Sequence, residues 1–328
     1  VGDSKFGGGS RIILSIAGDA VQRGHVVHAI ATDPLFCSQL RDRGVVVQEL
    51  ECIWRPIRPL RDLVGLVRLL RFLQTHSYDI VHTHTSKAGF VGRIAAKLAG
   101  VSAIVHTIHG FAFHEKTRAS EISFHVALER LAGLCCSRIV AVSHFHRSWA
   151  IELGIAGEDK ILSIPNGIVG VEPDQNFDRK LFRRSLGIGE DQALVLTIGR
   201  LVPGKGVDHL IEAAEKLWSR GRRDFRLVVV GDGELESDLR SRESNVPFKE
   251  YVTLTGFRSD VGNLLAASDL VVLPSEREGL SIALLEAMSA GKAILASRIG
   301  SNLEAAEGVA VFVDYGDVDL LSWNIADL

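Results

Sequence analysis

Apolar positions along this chain follow two alternating rhythms. Short runs rich in Val, Ile and Leu predict strands over 26–31, 45–50, 79–84, 103–109, 138–142 and 161–164. Between them, apolar residues return at three- and four-residue steps over 10–23, 60–73, 88–99 and 120–134, the period of a helix with one buried face. After Pro165-Asn166-Gly167 a polar stretch, 169–178, breaks the alternation as a linker does. A second series then begins, with strands over 193–198, 226–230, 252–254, 270–273, 293–296 and 309–313 and helices over 207–218, 234–242, 260–267 and 280–290. Strands that alternate with helices predict parallel sheets covered by helices. The expected organisation is therefore α/β, with an N-terminal domain over 1–168, a linker over 169–180 and a C-terminal domain over 181–328. Tandem domains of this kind make a cleft, and ligands favour such interfaces.

Composition narrows the function classes. A chain of 328 residues with 46% hydrophobic content has enough apolar surface for two cores. The formal net charge of -3 argues against a general nucleic-acid binder. No apolar run approaches the roughly 20 residues that cross a bilayer, so any membrane contact is expected to be peripheral. Cys37, Cys52, Cys135 and Cys136 lack CxxC spacing and read as reduced thiols of a cytoplasmic protein, with metal binding through cysteine not expected. Val1-Gly2-Asp3 reads as a strand end entering a Gly-rich loop, and only a short tail follows the 309–313 strand, so a fragment shortened at both ends is expected, without its first strand and its closing C-terminal helices.

Two places carry candidate chemistry in the second series. The 193–198 strand runs into Gly199-Arg200-Leu201-Val202-Pro203-Gly204-Lys205-Gly206, where three glycines and two cations lie between a strand end and a helix start. Glycines admit close backbone approach, a helix N-terminus adds partial positive charge, and Arg200 with Lys205 can neutralise a diphosphate. The GxxxxGK[ST] spacing of a Walker loop is absent, and an ordinary turn with solvated basic residues is the alternative. The other place is Pro274-Ser275-Glu276-Arg277-Glu278-Gly279-Leu280-Ser281-Ile282-Ala283-Leu284-Leu285-Glu286. Its spacing puts Glu278 and Glu286 two turns apart on one helical face, either as a ligand-binding pair or as part of a solvated face. Glu278 follows a strand, at the sheet edge where α/β proteins bind ligands.

With these motifs, and with Glu286-Ala287-Met288-Ser289-Ala290-Gly291, the chain resembles the retaining glycosyltransferases of family 4, which have the GT-B fold: two Rossmann-like domains facing each other across a cleft. The resemblance runs from the Gly-rich start to about Glu307. It implies transfer of a sugar from a UDP-sugar to a saccharide or polyprenyl-diphosphate-linked acceptor in envelope polysaccharide synthesis, with no metal. Arg200 and Lys205 would hold the diphosphate, Glu278 the sugar hydroxyls and Glu286 the ribose, with Gly279, Leu280 and Ser281 lining the donor. Gly256-Phe257-Arg258 would contact the base. Gly8 and Gly9, in Gly7-Gly8-Gly9-Ser10, resemble the family's first loop beside the donor phosphates, and His109 resembles its active-site histidine. Ser86 and Lys87, in Thr85-Ser86-Lys87-Ala88-Gly89, resemble sequences of members that act on lipid-linked acceptors. Ser281 departs from the family's usual proline, and Ser301-Asn302 from its glycine-containing loop before Glu304, which bears on donor-sugar identity.

Two further patterns compete with plainer readings. His82 and His84 share a strand face, but two histidines without a third ligand more often pack or hydrogen-bond at a strand end than bind zinc. Arg55, Arg58, Arg61, Arg68 and Arg71 interleave with Trp54, Leu60, Leu63, Leu66, Leu69 and Leu70. That segment fits peripheral contact with an anionic membrane at the inner face of the plasma membrane, while a helix packed on the sheet with solvated arginines is the more frequent arrangement. Two other functions share these motifs: a nucleotide-sugar epimerase of the same fold, and a non-catalytic nucleotide-sugar-binding subunit.

Overall fold

The computed structural model describes residues 6–54, 58–114, 116–242 and 246–327. The chain divides into two compact units, residues 1–166 and 167–328. Val1-Gly2-Asp3 and Arg55 lie outside the described residues.

The second unit is built on a six-stranded sheet. Its strands are β7 (Ala193–Ile198), β8 (Phe225–Val230), β9 (Val252–Gly256), β10 (Leu270–Leu273), β11 (Ala293–Ser297) and β12 (Val311–Val313), in the order β12-β11-β10-β7-β8-β9. Every pairing is parallel. The central strand β10 is buried at all four positions, as a strand covered on both faces must be. Alternation sorts the side chains. Val195, Leu227, Val229 and Val272 join one core with helices α8 (Val207–Ser219), α10 (Val246–Tyr251) and α14 (Val318–Ala326). Leu194, Leu196, Val228, Val271 and Leu273 join the other with α7 (Arg179–Ser185), α11 (Val261–Ala267), α12 (Ile282–Ser289) and α13 (Gly300–Ala306). The chain therefore winds outward from β7 under one face, crosses over, and winds outward again from β10 under the other. The join of β7 and β10 is the topological switch point, where open α/β sheets bind ligands beyond the strand ends.

Asp269, at the opposite end of β10, fastens α7 to this sheet. It accepts from Leu194 N at 2.7 Å, Arg183 Nη1 at 2.9 Å and Arg179 Nη2 at 2.5 Å. Desolvation works against its charge, yet these donors outweigh that and hold the carboxyl below its ordinary range. The expected linker is likewise bound to the unit: Asp174 and Asn263 exchange hydrogen bonds of 2.9 and 2.7 Å.

The first unit carries two sheets where one was expected. Strands β3 (Ile80–His84), β4 (Ala103–Ile108), β5 (Arg138–Ala141) and β6 (Ile161–Ser163) pair in that order, all parallel. Strands β1 (His28–Ile30) and β2 (Val46–Gln48) form a separate parallel pair, because among the described residues no strand joins β1 to β3. Helices α1 (Gly8–Gln22) and α2 (Pro34–Arg41) make a core with the pair, through Ile13, Leu14, Phe36 and Leu40. Helices α3 (Pro59–His76), α4 (Ser86–Leu98), α5 (Ala119–Gly133) and α6 (His144–Glu152) supply the core around β4 to β6.

Several expectations are corrected. The 309–313 strand is followed by a formed helix, α14, capped by Asp317 accepting from Leu320 N at 2.9 Å and packed on α8. Helix α12 begins at Ile282, not at residue 280, because Ser281 caps it by accepting from Leu284 N. Helices α2, α6, α7, α10 and α13 are additional. Their apolar stripes are short, and α2 and α6 announce themselves by caps instead: Asp33 before Pro34, and Ser143 accepting from His146 N.

Candidate functional site

At the switch point of the second unit, the loops after β7 and β10 are tied together. Glu276 N donates to Gly204 O at 2.8 Å. Gly206, with φ of 69°, lies so close to the second loop that a β-carbon there would fall 2.1 Å from Pro274 O. Only glycine fits both that backbone conformation and that approach. Lys205 Nζ then reaches Glu278 Oε1 at 2.5 Å, each side chain largely shielded from solvent. The cation of one loop and the carboxylate of the other thus form an ion pair across the switch point. Arg200, half-buried, leaves the end of β7 on the same loop as Lys205.

This geometry corrects the spacing argument for the two glutamates. Glu278 precedes the cap of α12 and stands in the loop, so it shares no helical face with Glu286. Its main chain is held by Ser301 Oγ, which donates to Glu278 O at 3.0 Å. Glu286 lies within α12 and is 2% exposed, so the solvated-face reading fails for it. Leu280 and Ser281 are buried as well. Asn302 is buried too, donating to Ser297 O at 3.0 Å, while Glu304 is exposed on α13. At the end of β9, Gly256 O accepts from Gly231 N at 2.9 Å. The Phe257 ring is half exposed, and Arg258 Nε binds Asp260 Oδ1 at 2.8 Å.

The first unit brings a different set together. His109 follows β4, and its Nε2 lies 3.0 Å from Nδ1 of His84 at the end of β3. Gly9 stands against the other edge of the ring, where a β-carbon would fall 3.9 Å from Nδ1 of His109. Gly8 and Gly9 form the first turn of α1 and do not precede it. Burial, assisted by His82, pushes His109 down to about 4, so its imidazole is neutral near pH 7. Burial also drives His84 well below the ordinary histidine value, helped by its histidine neighbours. His82 Nε2 contacts Thr107 Oγ1 at 2.7 Å, so both histidines of this strand face are hydrogen-bonded, His84 at the strand end and His82 within it. Among the described residues no group of three His, Cys, Asp or Glu side chains is arranged to hold a metal ion. On the opposite face of the sheet, His106 Nδ1 meets Thr83 Oγ1 at 3.0 Å.

Between His84 and Ser86 the backbone is strained. Thr85 has φ of 64° and ψ of 157°, a region a β-branched residue enters at a cost of order 1–3 kcal/mol. It turns the chain from β3 into α4, whose first residues are Ser86 and Lys87. Lys87 Nζ pairs with Asp62 Oδ1 of α3 at 2.7 Å. Sequence reasoning missed His84 as the partner of His109 and Glu278 as the partner of Lys205. The first had a signal in the shared strand face of His82 and His84. The second had a signal in the resemblance, which assigns both residues to one donor, but their direct pairing depends on which strands become neighbours.

Comparison with known proteins places the chain in a family. Residues 6–169 match the family described as Glycosyltransferase Family 4, and residues 178–328 match Glycosyl transferases group 1. The chain is 38% identical over 253 residues to the UDP-Gal:alpha-D-GlcNAc-diphosphoundecaprenol alpha-1,3-galactosyltransferase of Escherichia coli, covering 75% of this chain and 65% of that protein. It is 29% identical over 267 residues to an uncharacterized glycosyltransferase of Methanocaldococcus jannaschii, covering 77% of this chain and 66% of that one. The chain thus spans about two thirds of the length of these relatives. Among solved structures it is similar to Anabaena HepE in complex with UDP-glucose, with a TM-score of 0.81, 24% identity and coverage of 100% of this chain and 87% of that one. It is also similar to WaaG, a glycosyltransferase involved in lipopolysaccharide biosynthesis, with a TM-score of 0.72, 20% identity and coverage of 99% and 88%. Both likenesses concern the fold.

Proposed function

The chain belongs to glycosyltransferase family 4, with the GT-B fold, and from that premise we propose that it transfers a hexose from a UDP-sugar to a saccharide carried on a polyprenyl diphosphate, with retention at the anomeric carbon. The observation that carries this reading is the Lys205–Glu278 pair across the switch point, bordered by the glycine loop of Arg200. A cation at that place suits the departing diphosphate, and a carboxylate beside it suits sugar hydroxyls. The acceptor class is supported by the Escherichia coli relative, whose name gives UDP-Gal as donor and a diphosphoundecaprenol-linked GlcNAc as acceptor.

In this mechanism the bond from the anomeric carbon to the diphosphate oxygen breaks as the acceptor hydroxyl oxygen bonds to that carbon. The hydroxyl proton passes to the departing diphosphate. Arg200 and Lys205 meet the negative charge that accumulates on the leaving group, so the chain's own cations do this work. Lys205 exchanges Glu278 for the diphosphate, which releases the carboxylate to accept hydrogen bonds from the sugar. Glu286 holds the ribose, Gly256, Phe257 and Arg258 border the base, and Gly279, Leu280 and Ser281 line the donor. His109, neutral at working pH, hydrogen-bonds the sugar without adding positive charge beside a carbon that is itself becoming positive. Gly8 and Gly9 admit the ligand beside that ring, and Ser86 and Lys87 contact the acceptor.

The test is UDP release from a panel of UDP-sugars, with and without a GlcNAc-diphospholipid acceptor. Acceptor-dependent release that Lys205→Ala and Glu278→Ala abolish is the expected result. Release that needs no acceptor points to an epimerase. Tight donor binding without turnover points to a binding subunit.

A further inference from the structure

Against the Glu278 loop lies a run of buried polar side chains that the donor chemistry does not itself use. Ser297, at the end of β11, and Ser301 and Asn302, in α13, are 0%, 1% and 1% exposed. Asn302 Nδ2 donates to Ser297 O at 3.0 Å, which pins the first turn of α13 to the strand end, while Asn302 Oδ1 has no hydrogen-bond partner among the described residues. Small apolar residues would fill these positions at less cost, since a buried acceptor left unpaired is destabilising. What the run holds in place is one long-range bond: Ser301 Oγ donates to Glu278 O at 3.0 Å, across 23 positions of chain.

A serine in the first turn of a helix ordinarily serves that helix, capping its N–H groups or bonding back to a carbonyl one turn earlier. Ser301 does neither. The N-cap of α13 is Ile299, which makes no side-chain cap bond, and the Ser301 hydroxyl is committed to the other loop. Glu278 is therefore held at two ends, its carboxylate by Lys205 Nζ at 2.5 Å and its carbonyl by Ser301. Once Lys205 turns to the diphosphate, the Ser301 bond is the one still on Glu278 among the described residues. It then fixes the main chain from which the carboxylate reaches the sugar hydroxyls.

We propose that Ser301 is the positioning residue of Glu278 and that, through it, the start of α13 sets which hexose epimer the donor site accepts. This rests on the reading of Glu278 as the ligand of the sugar hydroxyls. Two epimers differ in the direction of one hydroxyl, and a carboxylate distinguishes them only if its own direction is fixed; one that swings meets either. The diphosphate is met by Arg200 and Lys205 on the other loop, so loss of the Ser301 bond reaches the sugar and spares the nucleotide.

The experiment compares the wild type with Ser301→Ala, a change that removes the hydroxyl and adds no volume. The donors are UDP-glucose with UDP-galactose and UDP-GlcNAc with UDP-GalNAc, two pairs that differ only at the C4 hydroxyl, and the acceptor is a GlcNAc-diphospholipid. The wild type is expected to prefer one epimer. Ser301→Ala should lower kcat/KM for that epimer about ten-fold, the effect of one lost hydrogen bond, and the epimer ratio several-fold, with the Kd for UDP alone unchanged by calorimetry. A wild type without preference, or an unchanged ratio in the variant, overturns the proposal. So does a loss of UDP affinity that matches the loss of kcat/KM, because it marks a collapsed loop and not a misdirected carboxylate. Lys205→Ala and Glu278→Ala are assayed alongside. If they keep full turnover, or the wild type turns over no donor, the donor-site reading fails; if they lose turnover while Ser301→Ala keeps the epimer ratio, only the role of Ser301 fails.

Discussion

The two units solve the same problem, holding polar groups still at the end of a parallel sheet, by opposite means. In the second unit the groups are charged and neutralise one another, Lys205 against Glu278 at 2.5 Å. In the first they are histidines kept neutral by burial, with His109 hydrogen-bonded to His84 at 3.0 Å. In the proposed reaction the charged pair changes partners when the diphosphate arrives, each member gaining a new opposite or hydrogen-bonding neighbour. The neutral pair has no such exchange to make, and its task is to keep one orientation.

The sharpest way to break this comparison is to remove the charge. Lys205→Ala is expected to lower kcat on the order of 100- to 1,000-fold, the size of effect that follows loss of one preorganised group facing developing charge. Glu278→Gln keeps the shape but removes the pairing, and its larger effect should fall on donor KM. His109→Ala should cost less, about 10- to 100-fold, since a neutral hydrogen bond is lost. Steady-state kinetics with saturating acceptor measures all three. Equal losses for Lys205→Ala and His109→Ala would erase the proposed division of labour.

The neutral half predicts a pH dependence of stability. His109 titrates near 4 in the folded chain against 6.5 unfolded. The folded state therefore binds fewer protons than the unfolded state between those values, and stability falls as pH drops through that window. From pH 7 to about pH 4 the loss expected from His109 is about 2–3 kcal/mol, with His84 adding in the same direction. Urea unfolding of the wild type and of His109→Gln across this range is the measurement. The variant should show a shallower decline, and an identical decline would mean that the ring is not held neutral by burial.

Loop closure at the switch point gives the next effect. Gly206→Ala places a methyl group 2.1 Å from Pro274 O and demands a left-handed conformation of alanine. The expected destabilisation is about 2 kcal/mol, of which about 1 comes from the backbone conformation alone. The more telling outcome is on binding. Separating the two loops should weaken UDP-sugar binding more than ten-fold while leaving the opposite end of β10, fastened by Asp269, intact by hydrogen exchange.

How much of this was legible in the residues depends on how far apart the contributing residues lie. Local periodicity marked every strand of both units and eight of the helices to within a few residues, because burial of one face is written at two- or three-to-four-residue steps. Short capped helices such as α2 and α6 were passed over, as their stripes are too brief to stand out. The residues singled out by family resemblance fall into two local sets, yet the bonds that organise them were hidden. Lys205 and Glu278 are 73 positions apart, and they meet because β7 and β10 become neighbours at the strand reversal. The helical spacing argument failed for a local reason: Ser281 starts the helix three residues after Glu278. The apolar residues of α3 were read as one pattern, and exposure alone separates its packed face, Leu69 and Leu73, from Leu60 and Leu63.

The smallest effect probes the strain beside the neutral pair. Thr85 sits at φ of 64° between His84 and Ser86, where glycine would rest without penalty. Thr85→Gly relieves strain of order 1–3 kcal/mol and loses roughly 0.5–1 kcal/mol through the greater freedom of the unfolded chain, for a net gain of about 1 kcal/mol. Denaturant unfolding should thus find the variant slightly more stable. Its kcat should nevertheless fall several-fold, because Thr85 fixes the exit of β3 and with it the ring of His84 against His109. A variant that gains stability and keeps full activity would show that the strain serves only the turn into α4. A variant that loses stability would show that the turn is not strained, and the orientation of His84 would then rest on its burial and on His109 alone.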